Sequence, residues 1–326
     1  MRDSSRGGAG ASTHFLASVP ADSAVVFSAG GCYAQASPIE LSDRSRLVID
    51  GRGARFVKTS DSVRGEGFSN AKPNLRITGG DHLTVQNVMI SGTFSDAPNS
   101  PNQFDAGVAI LGARGVLLKN LSVASVDGDL VTIGPDTRSA VPLAAAPPAQ
   151  DVTIEALRGV HAARQGVAFT STIGARVSQS QIVDVQNAID LEPDVPGEPV
   201  RSIRIDDNQF GRINYAAIVA IPGASPAVGD VSLSRNRMTA LPKACYPAIA
   251  IGGDSAAPSP LAKVGYVAYA NSLLSRGDGI LFNGVSAGSI TANTIRTTVG
   301  RGHCSRVPIR SVGSNVTVQG NVTSGF

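Results

Sequence analysis

The sequence contains no tryptophan, only 5 tyrosines and 10 phenylalanines, and just 16% charged residues in 326. Its Lys and Arg are scattered, its formal charge is +3, and few aromatics stand beside them. A nucleic-acid surface needs a basic stripe with bases stacked against it, so the composition argues against one. No uncharged apolar run of about 18 residues occurs, which excludes a membrane-spanning helix. Cysteine is nearly missing: Cys32, Cys245 and Cys304 are too few for a disulfide framework, and an odd number leaves at least one thiol. Neither a Cys-x-x-Cys nor a His-x-x-x-His pair is present to argue for zinc. The opening stretch, Met1 to Ser12, is polar and glycine-rich and lacks the apolar core of a secretory signal.

What is abundant is a repeat. Two or three alternating apolar residues are followed by a polar residue, often Asn, and then by more apolar residues. Copies run at Leu83–Ile90 with Asn87, Val116–Val123 with Asn120, Ile203–Phe210 with Asn208, and Val231–Asn236. Further copies end at Asn271, Asn293 and Asn321, while those at Val152–Ile154 and Ala175–Val177 lack the Asn. A second short apolar strand follows at a similar offset: Val108–Ile110, Val131–Ile133, Val167–Phe169, Ile189–Leu191, Ile218–Ala220, Ile249–Ile251, Ile280–Phe282 and Val307–Ile309. The spacing between copies is typical of a solenoid. A period of two puts one face in and one face out. Because one coil cannot bury its inner face alone, coils must stack about 4.8 Å apart. The pattern therefore predicts an all-β, right-handed, single-stranded parallel β-helix, with the bend asparagines forming a ladder. That ladder accounts for Asn120 and Asn321, which also lie in glycosylation sequons, without invoking glycosylation. A propeller would need more hairpin signals and longer repeats, and the Leu-x-x-Leu-x-Leu pattern of leucine-rich repeats is absent.

Residues 1–22 read as an irregular N-terminal cap, in which His14 to Val19 could plug the first coil, and residues 23–326 as the β-helix. Insertions at Phe94–Phe104, Pro135–Gln150, Pro193–Pro199 and Ser255–Leu261 are expected to project as loops and to wall a groove. The final coil reads as uncapped, with a strand edge through which an oligomer could form.

The runs Ala24–Tyr33 and Leu47–Phe56 resemble the first coils of pectate-lyase-superfamily right-handed β-helices. The later runs Asp127–Ile133, Arg164–Val167 and Ala188–Glu192 resemble them too. The resemblance spans residue 23 to the end and implies an extracellular or cell-surface protein that acts on, or holds, a polysaccharide. Sharper signatures are missing. Asp127-Gly-Asp129 and Arg212-Ile-Asn214 match the motifs of polygalacturonase-type hydrolases poorly, Arg306-Val-Pro-Ile-Arg310 is one residue short of the pectate-lyase motif, and the epimerase motif is absent.

Aligning the short strands places Asp129, Gln165, Asn187 and Asp278 in one column. Thr132, Ala168, Asp190 and Val219 point outward, with Thr170 and Glu192 just beyond. Asp129, Arg164, Asp190 and Glu192 are the candidate catalytic residues; Asp127, Gln165, Asn187 and Tyr215 are the candidate substrate-binding residues. Hydrolysis would pair Asp129 with Asp190 or Glu192. β-Elimination would use Arg164, or calcium held by Asp190, Glu192 and Asp194, to neutralise a uronate, with His161, Arg164 or Tyr215 as base. The expectation is a lyase or hydrolase of acidic polysaccharide that needs no certain cofactor, calcium being the one candidate. The alternative is a non-catalytic polysaccharide-binding, surface or tailspike-like protein whose charges form a solvated ion-pair network. His14, His82 and His303 read as surface or turn residues, and Asp206-Asp207 as solvated.

Overall fold

A computed structural model describes residues 15–60, 71–94, 103–138, 141–195, 197–220, 228–240, 242, 244–252, 263–297, 304 and 307–326. His14, His303, Arg306, most of the first insertion and the whole Ser255–Leu261 insertion lie outside the described residues. The described chain is a right-handed parallel β-helix. Ten short strands, from Ile39–Ser42 to Ile309–Val312, form one parallel sheet, and twenty strands form the other. One turn reads Val167–Phe169, Thr172–Ser178, Gln181–Val185, after which Ile189–Leu191 opens the next. Gln165 and Asn187, equivalent positions one turn apart, are separated by 22 residues. Asp129 and Gln165 are separated by 36, because that turn carries the Pro135–Gln150 insertion.

Alternation does the folding work. Val131 and Ile133 pair in register with Val167 and Phe169, these with Ile189 and Leu191, and these with Ile218 and Ala220. All eight are fully buried. Each large apolar side chain buried this way contributes about 1.5–3 kcal/mol. At the first coil, Leu16 from the Phe15–Ser18 helical turn is 1% exposed and lines the same interior cavity as Phe27, Ile39, Ile49 and Phe56.

The bend inside the larger sheet uses left-handed residues, most of which are not glycine (Gly320, before Asn321, is one that is). Asn120, Ala156, Gln179, Asp207, Arg235, Ala270 and Ala292 have φ of 53–58°. The residue after each turns inward. There Asn208, Asn236, Asn271, Asn293 and Asn321 form a ladder in which each Nδ2 donates to the next Oδ1 at 2.9–3.0 Å. Ser180 continues it upward, its N–H donating to Asn208 Oδ1 and its hydroxyl accepting the Leu157 N–H. Asn87 and Asn120, expected in this ladder, sit one residue earlier, at the left-handed position (φ 56° and 53°). Val88 and Leu121 hold the inward place in those turns and are buried. Asn tolerates left-handed backbone unusually well, so the same residue type serves two adjacent roles.

Asp206 differs from its solvated expectation. It is 6% exposed and paired with Arg176 at 2.7 Å, while Asp207 pairs with Arg235 at 2.7 Å. Among the described residues no helix is long and apolar enough to cross a membrane.

Candidate functional site

The outward face of the short-strand sheet is not a solvated surface. Thr132, Ala168, Asp190, Val219 and Ala250 stand in register along it, and none is more than 6% exposed. Two insertions meet beside it. The loop after Gly134 closes at its neck through Asp136 N–H donating to Pro147 O at 2.9 Å, and its Ala144 packs against Gly197 of the 193–199 loop. Arg138 anchors the first loop by pairing with both Asp136 (2.7 Å) and Asp43 (2.6 Å). Inside the second loop, the fully buried Glu198 accepts the N–H groups of Asp194 (2.8 Å) and Val195 (3.0 Å), fixing the segment that follows Glu192. Nothing in the sequence pattern singled out Glu198.

The column before each short strand is a second hydrogen-bonded ladder. Asp129 Oδ1 accepts the Gln165 N–H (3.1 Å), Gln165 Oε1 accepts the Asn187 N–H (3.0 Å), and Asn187 Oδ1 accepts the Ala216 N–H (3.1 Å). Asp278 repeats the motif with the Val307 N–H and also pairs with Arg310 at 2.9 Å. Gln165, Asn187 and Asp278 thus join successive turns, whatever else they do. Asp129 accepts a second hydrogen bond from the Thr132 hydroxyl at 2.9 Å, and Asp127 accepts one from Thr93 at 2.9 Å. His161 lies outside this column, paired with Asp184 at 3.1 Å and tilted against the Phe94 ring. Tyr215 is 46% exposed, with its ring centroid 6.4 Å from that of Tyr246.

Asp129, Asp190, Glu192 and Asp194 are brought close enough to act on one another electrostatically, and Arg164 faces the same group. Among the described residues Arg164 makes no direct ion pair. Burial, reinforced by the charges of Glu192 and Asp129, pushes Asp190 well above the usual carboxylate range, against the opposing pull of Arg164 and an Asn187 hydrogen bond. Burial also raises Asp129, which Arg164 and its two hydrogen bonds partly offset. Asp194 is exposed as a residue, yet packing around its carboxyl group and the charges of Glu198 and Glu192 push it up to about 6. Among the described residues no three His, Cys, Asp or Glu side chains converge to hold a metal, so Asp190, Glu192 and Asp194 do not form a ready calcium cage.

Among the described residues, Asp190 Oδ1 and Thr170 Oγ1 are buried with no hydrogen-bond partner, as are Ser171 Oγ beside Thr170 and Glu198 Oε1 in the second loop. Beside the first two the side chains are minimal. Ala168 stands between Thr132 and Asp190, and Gly134 occupies the place next to Thr170, where a Cβ would lie 2.6 Å from the Thr170 hydroxyl. An unpaired buried hydroxyl costs about 1–3 kcal/mol. Thr170→Val should therefore raise stability by about 1 kcal/mol in urea unfolding while weakening ligand binding.

No protein-family model matches the sequence, and no curated protein matches it either. Solved structures do. The endo-xylogalacturonan hydrolase of Aspergillus tubingensis matches with TM-score 0.61 at 11% identity, covering 95% of this chain and 89% of that one. The Streptococcus pneumoniae surface protein and adhesin PfbA matches with TM-score 0.52 at 14% identity, over 92% and 89%. The Dettilon tailspike protein gp208 gives 0.64 at 11% identity, over 99% of this chain, which spans 60% of that chain. The likeness is one of fold. That fold carries carbohydrate-active enzymes and adhesins alike, so function has to be read from the site.

Proposed function

We propose that this protein is a glycoside hydrolase that cleaves a polysaccharide over the short-strand sheet, with Asp190 as general acid and Asp129 as general base. The observation that carries this reading is the deeply buried Asp190 carboxyl, whose Oδ1 has no hydrogen-bond partner among the described residues and whose pKa is raised well above the usual carboxylate range by burial and by Glu192 and Asp129. A carboxyl whose pKa is raised by burial and neighbouring negative charge is the kind that can protonate a leaving glycosidic oxygen. Asp129 lies two turns away, about 10 Å along the axis by strand spacing, near the separation of inverting hydrolases, which leaves room for water. Arg164 favours the ionised form of Asp129 and has no protein carboxylate bound to it among the described residues, so it is available to orient an acidic or hydroxyl group of the sugar. Glu192 and Thr170 would hold sugar hydroxyls.

The other chemistry weighed, β-elimination, needs positive charge at the uronate and a base of high pKa. This site offers one arginine against several carboxylates. The disulfide between Cys245 and Cys304 fits an oxidising, extracellular setting.

A soluble polysaccharide panel that follows reducing ends and ultraviolet absorbance together, with and without a chelator, tests this reading. New reducing ends, no new absorbance and no chelator effect are expected. An absorbing unsaturated product would make the protein a lyase. On a cleaved substrate, the basic limb of the kcat/KM pH profile should lie above the usual carboxylate range, because Asp190 must stay protonated. A limb near pH 4 would remove Asp190 from the role of acid.

A further inference from the structure

Three residues before the first inward position of each short strand runs a column that leads away from the catalytic pair. Gln186 N–H donates to Arg164 O at 2.7 Å, and Tyr215 N–H to Gln186 O at 2.9 Å. Tyr246 takes the next turn, with its ring against that of Tyr215. Tyr215 and Tyr246 thus stand one and two turns beyond Asp190, about 5 and 10 Å along the axis at the spacing of stacked strands. Tyr215 is 46% exposed, and Tyr246 is half-buried against the outward-facing cluster of Ala216, Val219 and Ala250. A single exposed tyrosine would call for no explanation. Two touching tyrosines in the column that starts at Arg164, on a chain with no tryptophan, do.

The platform is also fixed in place. Cys245, adjacent to Tyr246, is bonded to Cys304 across 59 residues. Both cysteines precede short strands, Ile249–Ile251 and Ile309–Val312, so the bridge passes over the turn between them. That turn carries Gly277 at the column position. A Cβ there would lie 3.0 Å from the Cys245 carbonyl and 3.2 Å from the Tyr246 nitrogen. The missing side chain lets the Cys245–Tyr246 segment settle onto the helix.

We propose that Tyr215 and Tyr246 form a disulfide-braced stacking platform for sugar rings on the C-terminal side of the cleavage point, so that the substrate is a linear glycan lying parallel to the solenoid axis and long enough to reach from Asp190 to Tyr246. This rests on the hydrolase reading for the place of cleavage, but the platform is a binding element in its own right. Tyrosine suits this role because its ring packs against the C–H face of a pyranose while its hydroxyl remains hydrated. Cys245–Cys304 keeps the platform ordered before binding, which lowers the entropy lost on association.

The experiment is affinity electrophoresis through gels containing polygalacturonate, soluble xylan, soluble starch or inulin. Asp190→Asn serves as background so that turnover does not erase the polymer. Tyr246→Ala and Tyr215→Ala should each weaken retardation by about tenfold, the effect of losing one aromatic anchor. Tyr246→Phe should restore most of it, and Cys245→Ser with Cys304→Ser should weaken it with the tyrosines intact. On a cleaved polymer, Tyr246→Ala should lower the ratio of kcat/KM for polymer to that for its disaccharide by a similar factor. Equal retardation of parent and tyrosine variants, or none of the parent in any gel, overturns the platform. Reducing-end release by the wild type judges the hydrolase reading separately. Because Tyr215 is exposed, its variant remains informative if the cysteine pair fails to fold.

Discussion

Asp190→Asn is expected to lower kcat by about a thousandfold, the middle of the range for loss of a positioned proton donor, with no loss of folded protein. Asparagine matches the carboxyl in shape and keeps an oxygen toward Asn187, but it has no proton to give. The substitution should also make the protein more stable near pH 7. Asp190 is 2% exposed and held far above its ordinary range by burial and by Glu192 and Asp129. Its folded pKa exceeds the unfolded one, so the folded state binds more protons between the two values. Stability then falls as pH rises from about 4, the unfolded value, through the folded value. Asp194 adds to the slope between its ordinary value and about 6. Urea midpoints measured from pH 4 to pH 8 should decline in the wild type and decline less in Asp190→Asn. A variant that is less stable at pH 8 than the wild type would mean that Asp190 is an ionised structural ligand. Lost activity with gained stability is the signature of a residue placed for chemistry.

The solenoid was legible because its signal is redundant. Val131, Val167, Ile189 and Ile218 each begin an apolar pair, and any one of them would have been ambiguous alone. The alignment that follows from it also put Asp129, Gln165 and Asn187 in one column correctly. What the alignment does not contain is how deeply that column is buried. The loops that follow Gly134 and Glu192 are insertions, and insertions have no period to read. The same limit hid Glu198, whose partners are two backbone N–H groups of its own loop. The disulfide had a signal. Cys245 and Cys304 each stand just ahead of a short strand two turns apart, which stacking brings close although 59 residues separate them. The ladder was half legible. Asn120 and Asn208 look equivalent in the pattern, yet one supplies the left-handed residue and the other the inward one. Telling them apart requires counting from the inward Leu118 and Ile205, which align through Ile154 and Val177.

That distinction sets the second large effect. Asn271→Ala is expected to destabilise the protein by about 4 kcal/mol, whereas Asn120→Ala, at the equivalent bend several turns away, should cost less than about 1 kcal/mol. Asn271 Oδ1 accepts from both the backbone N–H and the Nδ2 of Asn236, and its own Nδ2 donates to Leu233 O and Asn293 Oδ1. Truncation strands the backbone N–H and one Nδ2 proton of Asn236 and strips Leu233 O and Asn293 Oδ1 of one bond each, although Asn293 Oδ1 keeps the Asn271 N–H at 3.0 Å. With the cavity left behind, the sum reaches about 4 kcal/mol. Asn120 instead lies exposed, and its bond to Asn87 Oδ1 is a long 3.4 Å. Asn271→Leu discriminates further, since Leu121 and Leu157 occupy the same inward place in earlier turns and are buried there. If volume were what the position demands, leucine would rescue. If the ladder carries the stability, leucine should be about as harmful as alanine, because the two Asn236 donors stay without their acceptor. Urea unfolding followed by circular dichroism separates the two. Neighbouring turns support one another in a solenoid, so the damage should appear first as a separate early transition of the C-terminal turns, with the turns around Asp129 and Asp190 unfolding later.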